Sequence, residues 1–532
     1  MNKRVALAVL AVAVVALAAM VVPSGAFASG GSGSSSGSFN AKEYKKTHGY
    51  LPLKGVDTLQ QAKAHAAEEA AKGNTPGRST TLAPSTLRTP THGASWKGVA
   101  SSGVSPPDPN GAIGPNSYVE VVNQKMGIYS RTGSLITSAT LRTLTGHLQD
   151  SDPMVLWDPD TQRFYYNVLN VANATMDFGF SKDSNPNSIP GSWCRYIASY
   201  GYSSSSVPDY PKLGQTKDFV LVGVNFYPSL SSQASTSSDI LWLTKPQGSA
   251  PISTCPAANT FGIGKITGLL NQDGTQAFTP VPAIQTDPSS TGYIVSMADI
   301  ECPPNCGTGT KITVFTVTNN SGTPAISAPD SITVGSYTNP ADAKQPGTTN
   351  VLDTLDGRLT HAVSGFDPRL NTTTVWTAHT ILAGAGAGVR WYEIDPGSGT
   401  IAQTGLVSNA NNYRFNAGIS DDRTCTATQC AHGDSMVLGF TVSSSSINPK
   451  VAMVSKIGAN AVSGVVTLHQ SSTFDNGFTC SPCRWGDYGG ATPDPAASLT
   501  ALHGEVWLTN QFTTGGSSGS SGDATWNWEA SP

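Results

Sequence analysis

Charge is what this 532-residue chain has least of: 12% of its residues are Asp, Glu, Lys or Arg, about half the roughly 25% of an average soluble domain. A chain so poor in charge cannot build long salt-bridged surface helices or coiled coils. Its 31 basic and 35 acidic residues give a formal net charge of −4, so no global basic field exists and nucleic acid is excluded as a partner. Beyond the N-terminal segment no apolar run is long enough to span a membrane. A His-Glu-x-x-His pair, a phosphate-binding P-loop and a dinucleotide-binding glycine fingerprint are all missing. What is abundant is turn chemistry: 55 Gly and 35 Pro, with many Ser, Thr and Asn, favour strands and turns over helices.

Residues 1–28 read as a signal peptide. A basic start at Lys3-Arg4 precedes an apolar run over 5–22, then Pro23 and the small-residue pattern Ala26-Phe27-Ala28, so cleavage is expected after Ala28. The rival is a retained membrane anchor; Pro23 and the Ala-x-Ala end argue against it, and no Cys follows to carry a lipid. We therefore expect a secreted, extracellular protein that touches no membrane once the leader is gone. Export gives meaning to an even count of 8 Cys, because disulfides persist outside the cytoplasm. Cys302 and Cys306, Cys425 and Cys430, and Cys480 and Cys483 are close in sequence, leaving Cys194 with Cys255.

Residues 29–104 read as a linker. It opens as an almost pure Gly/Ser tether and holds one convincing helix at 57–72 (DTLQQAKAHAAEEAAK), with Asp57 as cap and Gly73 as stop. The apolar face of that helix is mostly Ala, so it is expected to pack weakly or to act as a spacer, without chemistry. The folded body is placed at 105–532.

That body repeats itself. A small-residue strand that often ends in Asp-Pro recurs as DPNGAIGP from Asp108, DPMVLWDP from Asp152, DYPKLGQTKD from Asp209, VPAIQTDP from Val281, RLTHAVSGFDP from Arg358, RFNAGISDD from Arg414 and RWGDYGGATPDP from Arg484. Apolar strands carrying aromatics follow each copy. A period of roughly 40–60 residues with several strands per unit is the signature of a β-propeller, so the fold class expected is all-β, seven-bladed with six blades as the rival. Radial packing hides weakly charged strand edges, and Gly and Ala suit innermost strands crowded at an axis. The C-terminal Ala524-Thr525-Trp526-Asn527-Trp528 reads as a last strand completing a blade begun elsewhere.

At Pro106-Pro107-Asp108-Pro109-Asn110, Asp209-Tyr210-Pro211-Lys212-Leu213-Gly214 and Arg484-Trp485-Gly486-Asp487-Tyr488 the chain resembles secreted bacterial sialidase-like β-propeller proteins, a group without a single established reaction. The resemblance covers roughly 105–530 and implies a fold more than a chemistry. True sialidases open their first blade with an Arg-Ile-Pro-type motif and repeat Asp-box turns. This chain opens with Asp108-Pro109-Asn110, and Ser521-Gly522-Asp523-Ala524-Thr525-Trp526 lacks the Asp-box spacing.

Innermost strands bring their starting residues to one mouth of the central channel. Candidate catalytic residues there are Asp152, Asp209, Asp487, Tyr488 and His361; candidate substrate-binding residues are Arg358, Arg414, Arg484, Lys212, Asp108 and Asn110. Arginine forks bind carboxylate bidentately and paired carboxylates perform acid/base or nucleophilic work, a combination suited to a glycan, including an acidic one. The rival reading makes the arginines loop ties. No cofactor is required; Asp158-Pro159-Asp160 and the 353–356 turn offer oxygens for structural Ca²⁺ without the full loop spacing. We expect a monomer acting on extracellular glycan or polysaccharide, as a glycoside hydrolase or polysaccharide lyase. The alternatives are a non-catalytic carbohydrate-binding or adhesion propeller and a purely structural protein.

Overall fold

A computed structural model of the chain describes residues 21–22, 26–29, 56–76, 89–101, 104–148, 150–246, 248–300, 307–477, 480, 482–516 and 522–532. The Cys302–Cys306 pair falls outside them. From residue 104 onward the chain folds as successive antiparallel meanders whose first strands are β1 (Asn110–Ile113), β2 (Asp150–Asp158), β3 (Val207–Gln215), β4 (Phe278–Pro282), β5 (Leu359–Asp367), β6 (Tyr413–Asp421) and β7 (Gly490–Pro493). Each pairs antiparallel with the strand that follows it in its meander. The first strands also touch one another in chain order around a closed circle, β7 returning to β1. That closed ring is a β-propeller.

Burial follows radius. β1 is buried along its whole length and β5 almost so, whereas the outer strand Leu135–Thr140 is largely exposed and Thr400–Val407 alternates between exposed and half-buried residues. Between neighbouring meanders lie apolar clusters, such as Trp376 and Trp391 against Ile419, Leu438 and Phe440. Crowding near the axis explains the small residues of the repeat, such as Gly214, and of the strand beside it, such as Gly223. A Cβ on Gly223 would lie 1.8 Å from the Pro280 carbonyl oxygen of the next meander, and one on Gly214 would lie 2.4 Å from that of Pro282. Gly223→Ala is therefore expected to destabilise the protein by about 1–3 kcal/mol, read as a shift in the midpoint of denaturant unfolding.

The hydrogen bonds correct the expected partition into seven, or six, equal and separate sheets. The described residues form one ten-stranded sheet, two of five strands, three of four and one of two. The large sheet arises because Ile284–Gln285, just beyond β4, pairs in parallel with both β3 and β5. The strands come so close at the axis that two meanders fuse through a third. Closure comes from the N-terminal side: Thr91–Lys97 pairs with Asp523–Ser531, which pairs with Val506–Thr513. This strand belongs to the stretch read as linker. Further upstream, Val21–Val22 and Ala26–Ser29 add to the edges of Ile263–Ile266 and Trp193–Ser199.

Helix α1 (Val56–Lys72) departs further from expectation. It is not a loosely packed spacer: Ala66 belongs to a core cluster with Leu352, Phe415 and Trp485. Lys63, 2% exposed on its side chain, lies 2.7 Å from Asp342 and 3.2 Å from Asp353. A small-residue face lets the helix approach closely enough to bury a lysine against two acids. Among the described residues three disulfides are formed, Cys194–Cys255, Cys425–Cys430 and Cys480–Cys483. No described helix is long and apolar enough to cross a membrane.

Candidate functional site

One local device recurs at one end of the ring. Asp152, Tyr210 and Thr279 each precede a proline and sit in the left-handed region, at φ 51°, 56° and 50°. Each coincides with a register shift in its strand, at Ser151/Met154, Asp209/Lys212 and Phe278/Val281. Asp108 (φ 47°) precedes Pro109 just ahead of β1, and Asn416 (φ 55°) occupies the bulge of β6 at Phe415/Gly418. Such a conformation costs a non-glycine residue about 1–3 kcal/mol. Bulges re-aim side chains, and their repetition here turns several meanders toward a common centre.

At that centre stands Lys212, 1% exposed. Its Nζ lies 3.3 Å from the ring centre of Tyr488 and 3.9 Å from that of Tyr210, and it has no hydrogen-bond partner. Burial pushes its pKa well below that of an ordinary lysine, against the pull of Asp487, Asp108 and Asp152. The Tyr210 and Tyr488 rings meet edge to face at 6.0 Å. Tyr210 donates its hydroxyl to the Asp487 carbonyl at 2.9 Å, whereas the buried Tyr488 hydroxyl finds no partner.

Three carboxylates, Asp108, Asp152 and Asp487, act on the amine, and Asp209 neighbours Asp152. Asp108 accepts from the Asp487 backbone N–H at 2.8 Å and from Asn123 Nδ2 at 2.9 Å. Burial first, then the charges of Asp487 and Asp152, hold its carboxyl well above the usual range. Asn123 also accepts from the Asp152 N–H at 2.8 Å, tying the first two meanders together. Asp152 accepts from Ser151 Oγ at 2.6 Å, and burial followed by the neighbouring Asp209 pushes its carboxyl up to about 7. Asp487 lies 2.8 Å from Arg484, which also reaches Asp353 at 3.5 Å. Arg358 donates Nε to Asp356 at 2.7 Å and lies over Tyr210 at 4.6 Å and Phe278 at 4.8 Å.

His361 lies within reach of the Lys212 charge, and burial, the larger effect, takes its pKa down to about 4. Its Nδ1 lies 2.8 Å from the Ile419 carbonyl. A carbonyl only accepts, so Nδ1 carries the proton and the buried, unpartnered Nε2 is left as a bare acceptor.

The residues expected at the mouth form a largely buried cluster of Asp108, Asp152, Asp487, Lys212, Arg358, Arg484 and Tyr488, with Asp209 beside Asp152 and His361 near Lys212. Two expected members depart. Arg414 is elsewhere, donating to Asn412 at 3.3 Å and lying 5.9 Å from the Phe440 ring. The β6 bulge falls after it, so Asn416 rather than Arg414 takes the place of Asp152 and Tyr210. Asn110 is buried as a strand tie, its Oδ1 accepting from the Val155 N–H at 2.8 Å. The acidic turns read as calcium ligands face cations of their own chain: Asp158 lies 3.0 Å from Lys245, and Asp353 and Asp356 hold Lys63, Arg484 and Arg358. Tyr210 and Asn123 are members of this cluster that sequence reasoning passed over, whereas Asp353 and Asp356, read there as calcium ligands, join it as ion-pair partners of its arginines. Alignment on the residue before proline would have found Tyr210 beside Asp152.

A second carboxylate pair lies outside the mouth. Glu393, beside Asp367, accepts from Arg369 at 3.1 Å and Gln403 at 2.6 Å, and burial followed by Asp367 pushes it up to about 8. A folded-state pKa above the unfolded one adds stability at low pH that is lost as pH rises through about 8. Glu393→Gln is expected to raise the melting temperature at pH 9 and leave it nearly unchanged at pH 5, in paired thermal melts.

No family model and no curated protein matches this chain. Among solved structures it is similar to a subtype N11 neuraminidase-like protein from a flat-faced bat isolate, at 11% identity over 83% of this chain and 97% of the other, with a TM-score of 0.33. The Dos1 propeller is similar at 9% identity over 82% and 94%, with a TM-score of 0.34. A GH43 β-1,3-galactosidase is similar at 12% identity over 58% and 96%, with a TM-score of 0.29. The class of protein is set by the closed ring of strands: a β-propeller.

Proposed function

We propose that the chain is a secreted propeller that acts on extracellular glycans as a carbohydrate-active enzyme, with a glycoside hydrolase ahead of a polysaccharide lyase. The supporting observation is a pair of buried donors, Lys212 Nζ and the Tyr488 hydroxyl, that find no partner in the protein while three carboxylates, Asp108, Asp152 and Asp487, act on both. Burying an unsatisfied donor costs about 1–3 kcal/mol, and folded proteins retain few such groups without a reason. A sugar supplies the missing acceptors through its oxygens and offers hydroxyls to the carboxylates. In this reading Asp152 and Asp209 are the acid and its partner carboxylate, the pair that glycoside hydrolysis uses. Arg358 and Arg484 are ion-paired within the chain, which favours a neutral over an acidic substrate. The leader-like sequence over 1–28 and the three disulfides among the described residues support export.

A second reading, a binding propeller without catalysis, is favoured by the enclosure of these side chains: Arg484 and Asp487 are only 9% and 13% exposed. The deciding experiment is a screen of the mature protein on neutral and acidic polysaccharides, reading new reducing ends and the absorbance of unsaturated uronates. Reducing ends without unsaturation support hydrolysis; unsaturated products support a lyase. Retention on a glycan without any product supports binding alone, and silence in every channel defeats the glycan reading.

A further inference from the structure

We propose that His147, Asp150 and Asp177 form a binding site for one divalent transition-metal ion of the Zn²⁺ class, separate from the mouth. The three residues come from different elements. A short helix, α2 (Leu141–Thr145), ends at Gly146 in the left-handed region (φ 93°), and the turned chain presents His147. Asp150 is the first residue of β2, and Asp177 lies in Thr175–Ser181, the third strand of the same sheet. One ligand atom from each lies within 4.8 Å of the others. Zinc bonds of about 2.0–2.2 Å to imidazole nitrogen and carboxylate oxygen need only a small inward movement from there.

The site is short of positive charge. Asp150 and Asp177 are 0% and 1% exposed; Oδ1 of each receives no hydrogen bond from any donor group, and the two carboxyls lie within hydrogen-bonding reach of one another. His147 Nδ1 lies 2.7 Å from Asp177 Oδ2, and Thr145 Oγ1 donates to Asp150 Oδ2. The nearby Arg195 guanidinium donates to the Leu144 carbonyl at 2.9 Å. Two buried carboxylates therefore face one imidazole and one hydroxyl, and an uncompensated buried charge is strongly destabilising. One imidazole and two carboxylates suit a borderline divalent ion better than calcium or magnesium, which favour all-oxygen shells. The His147 side chain, 29% exposed, gives the ion a way in and leaves room for a water as a further ligand.

The test uses the full chain, stripped with a chelator and titrated with ZnCl₂ by calorimetry and thermal shift. One Zn²⁺ per chain with a raised melting temperature is expected. Asp177→Asn and His147→Ala should weaken binding at least tenfold. Asp150→Asn removes one of two adjacent like charges, so it should stay folded and also lose the ion. Zn²⁺ uptake equal to that of the Asp150→Asn/Asp177→Asn double variant overturns the proposal. So does wild-type affinity in Asp177→Asn, which would place the ion on other histidines. A wild type that takes no Zn²⁺, with Asp150→Asn more stable than it, would mean that the two acids share a proton and likewise ends the proposal.

Discussion

Lys63→Met is expected to cost about 3–5 kcal/mol of folding stability, the size of effect seen when one partner of a buried ion pair is removed. Lys63 Nζ meets Asp342, Asp353 and the Thr354 hydroxyl at 2.7, 3.2 and 3.0 Å. Burial alone would lower its pKa; the two carboxylates more than offset this and hold it above the ordinary lysine value, so it is charged throughout the neutral range. Methionine fills the same volume but leaves two acids facing one another. The contacts continue inward: Asp353 reaches Arg484, and Arg484 reaches Asp487. The variant should thus lose both stability and whatever the mouth does. Denaturant unfolding of Lys63→Met against Lys63→Arg and wild type measures it, and an unchanged midpoint would mean that α1 is not docked.

The second large effect is chemical. Lys212→Met is expected to lower kcat/KM on a responsive glycan by about 10²–10³, the scale for removing one charged or hydrogen-bonding group from a preorganised site. The same change should leave stability equal or higher, because the buried amine has no hydrogen bond to lose and methionine keeps most of its contact with Tyr210 and Tyr488. A lysine serving only as scaffold would show the reverse: lower stability and intact turnover. Melting temperature and kinetics measured on the same preparation separate the two.

The propeller was legible because its repeat has a local physical cause. A residue before proline, held left-handed at a bulge, recurs at Asp152, Tyr210 and Thr279, and Gly stands where neighbouring strands crowd, as at Gly214. The pairing of Cys194 with Cys255 was legible by elimination among close pairs. Arg414 misled because the repeats were matched on an arginine before a small-residue strand, whereas the bulge that aims side chains into the mouth comes after it, at Asn416. Arg358 and Arg484 do reach the mouth, but their acidic partners Asp356, Asp353 and Asp487 make them internal ties as well, and no spacing rule reveals that. The fusion of two meanders through Ile284–Gln285 depends on distances at the axis. Lys63 was hidden because an Ala-rich face reads as weak packing, and only the surface it meets shows that small residues allow close docking.

The most direct test of the account is a paired measurement on Tyr488→Phe, which removes one oxygen and nothing else. That hydroxyl has no partner in the protein, so the fold gives up no hydrogen bond when it goes. The account predicts an unchanged or slightly raised melting temperature together with at least a 100-fold loss of glycan turnover. Full turnover in Tyr488→Phe, at unchanged stability, would contradict a glycan site at the channel mouth.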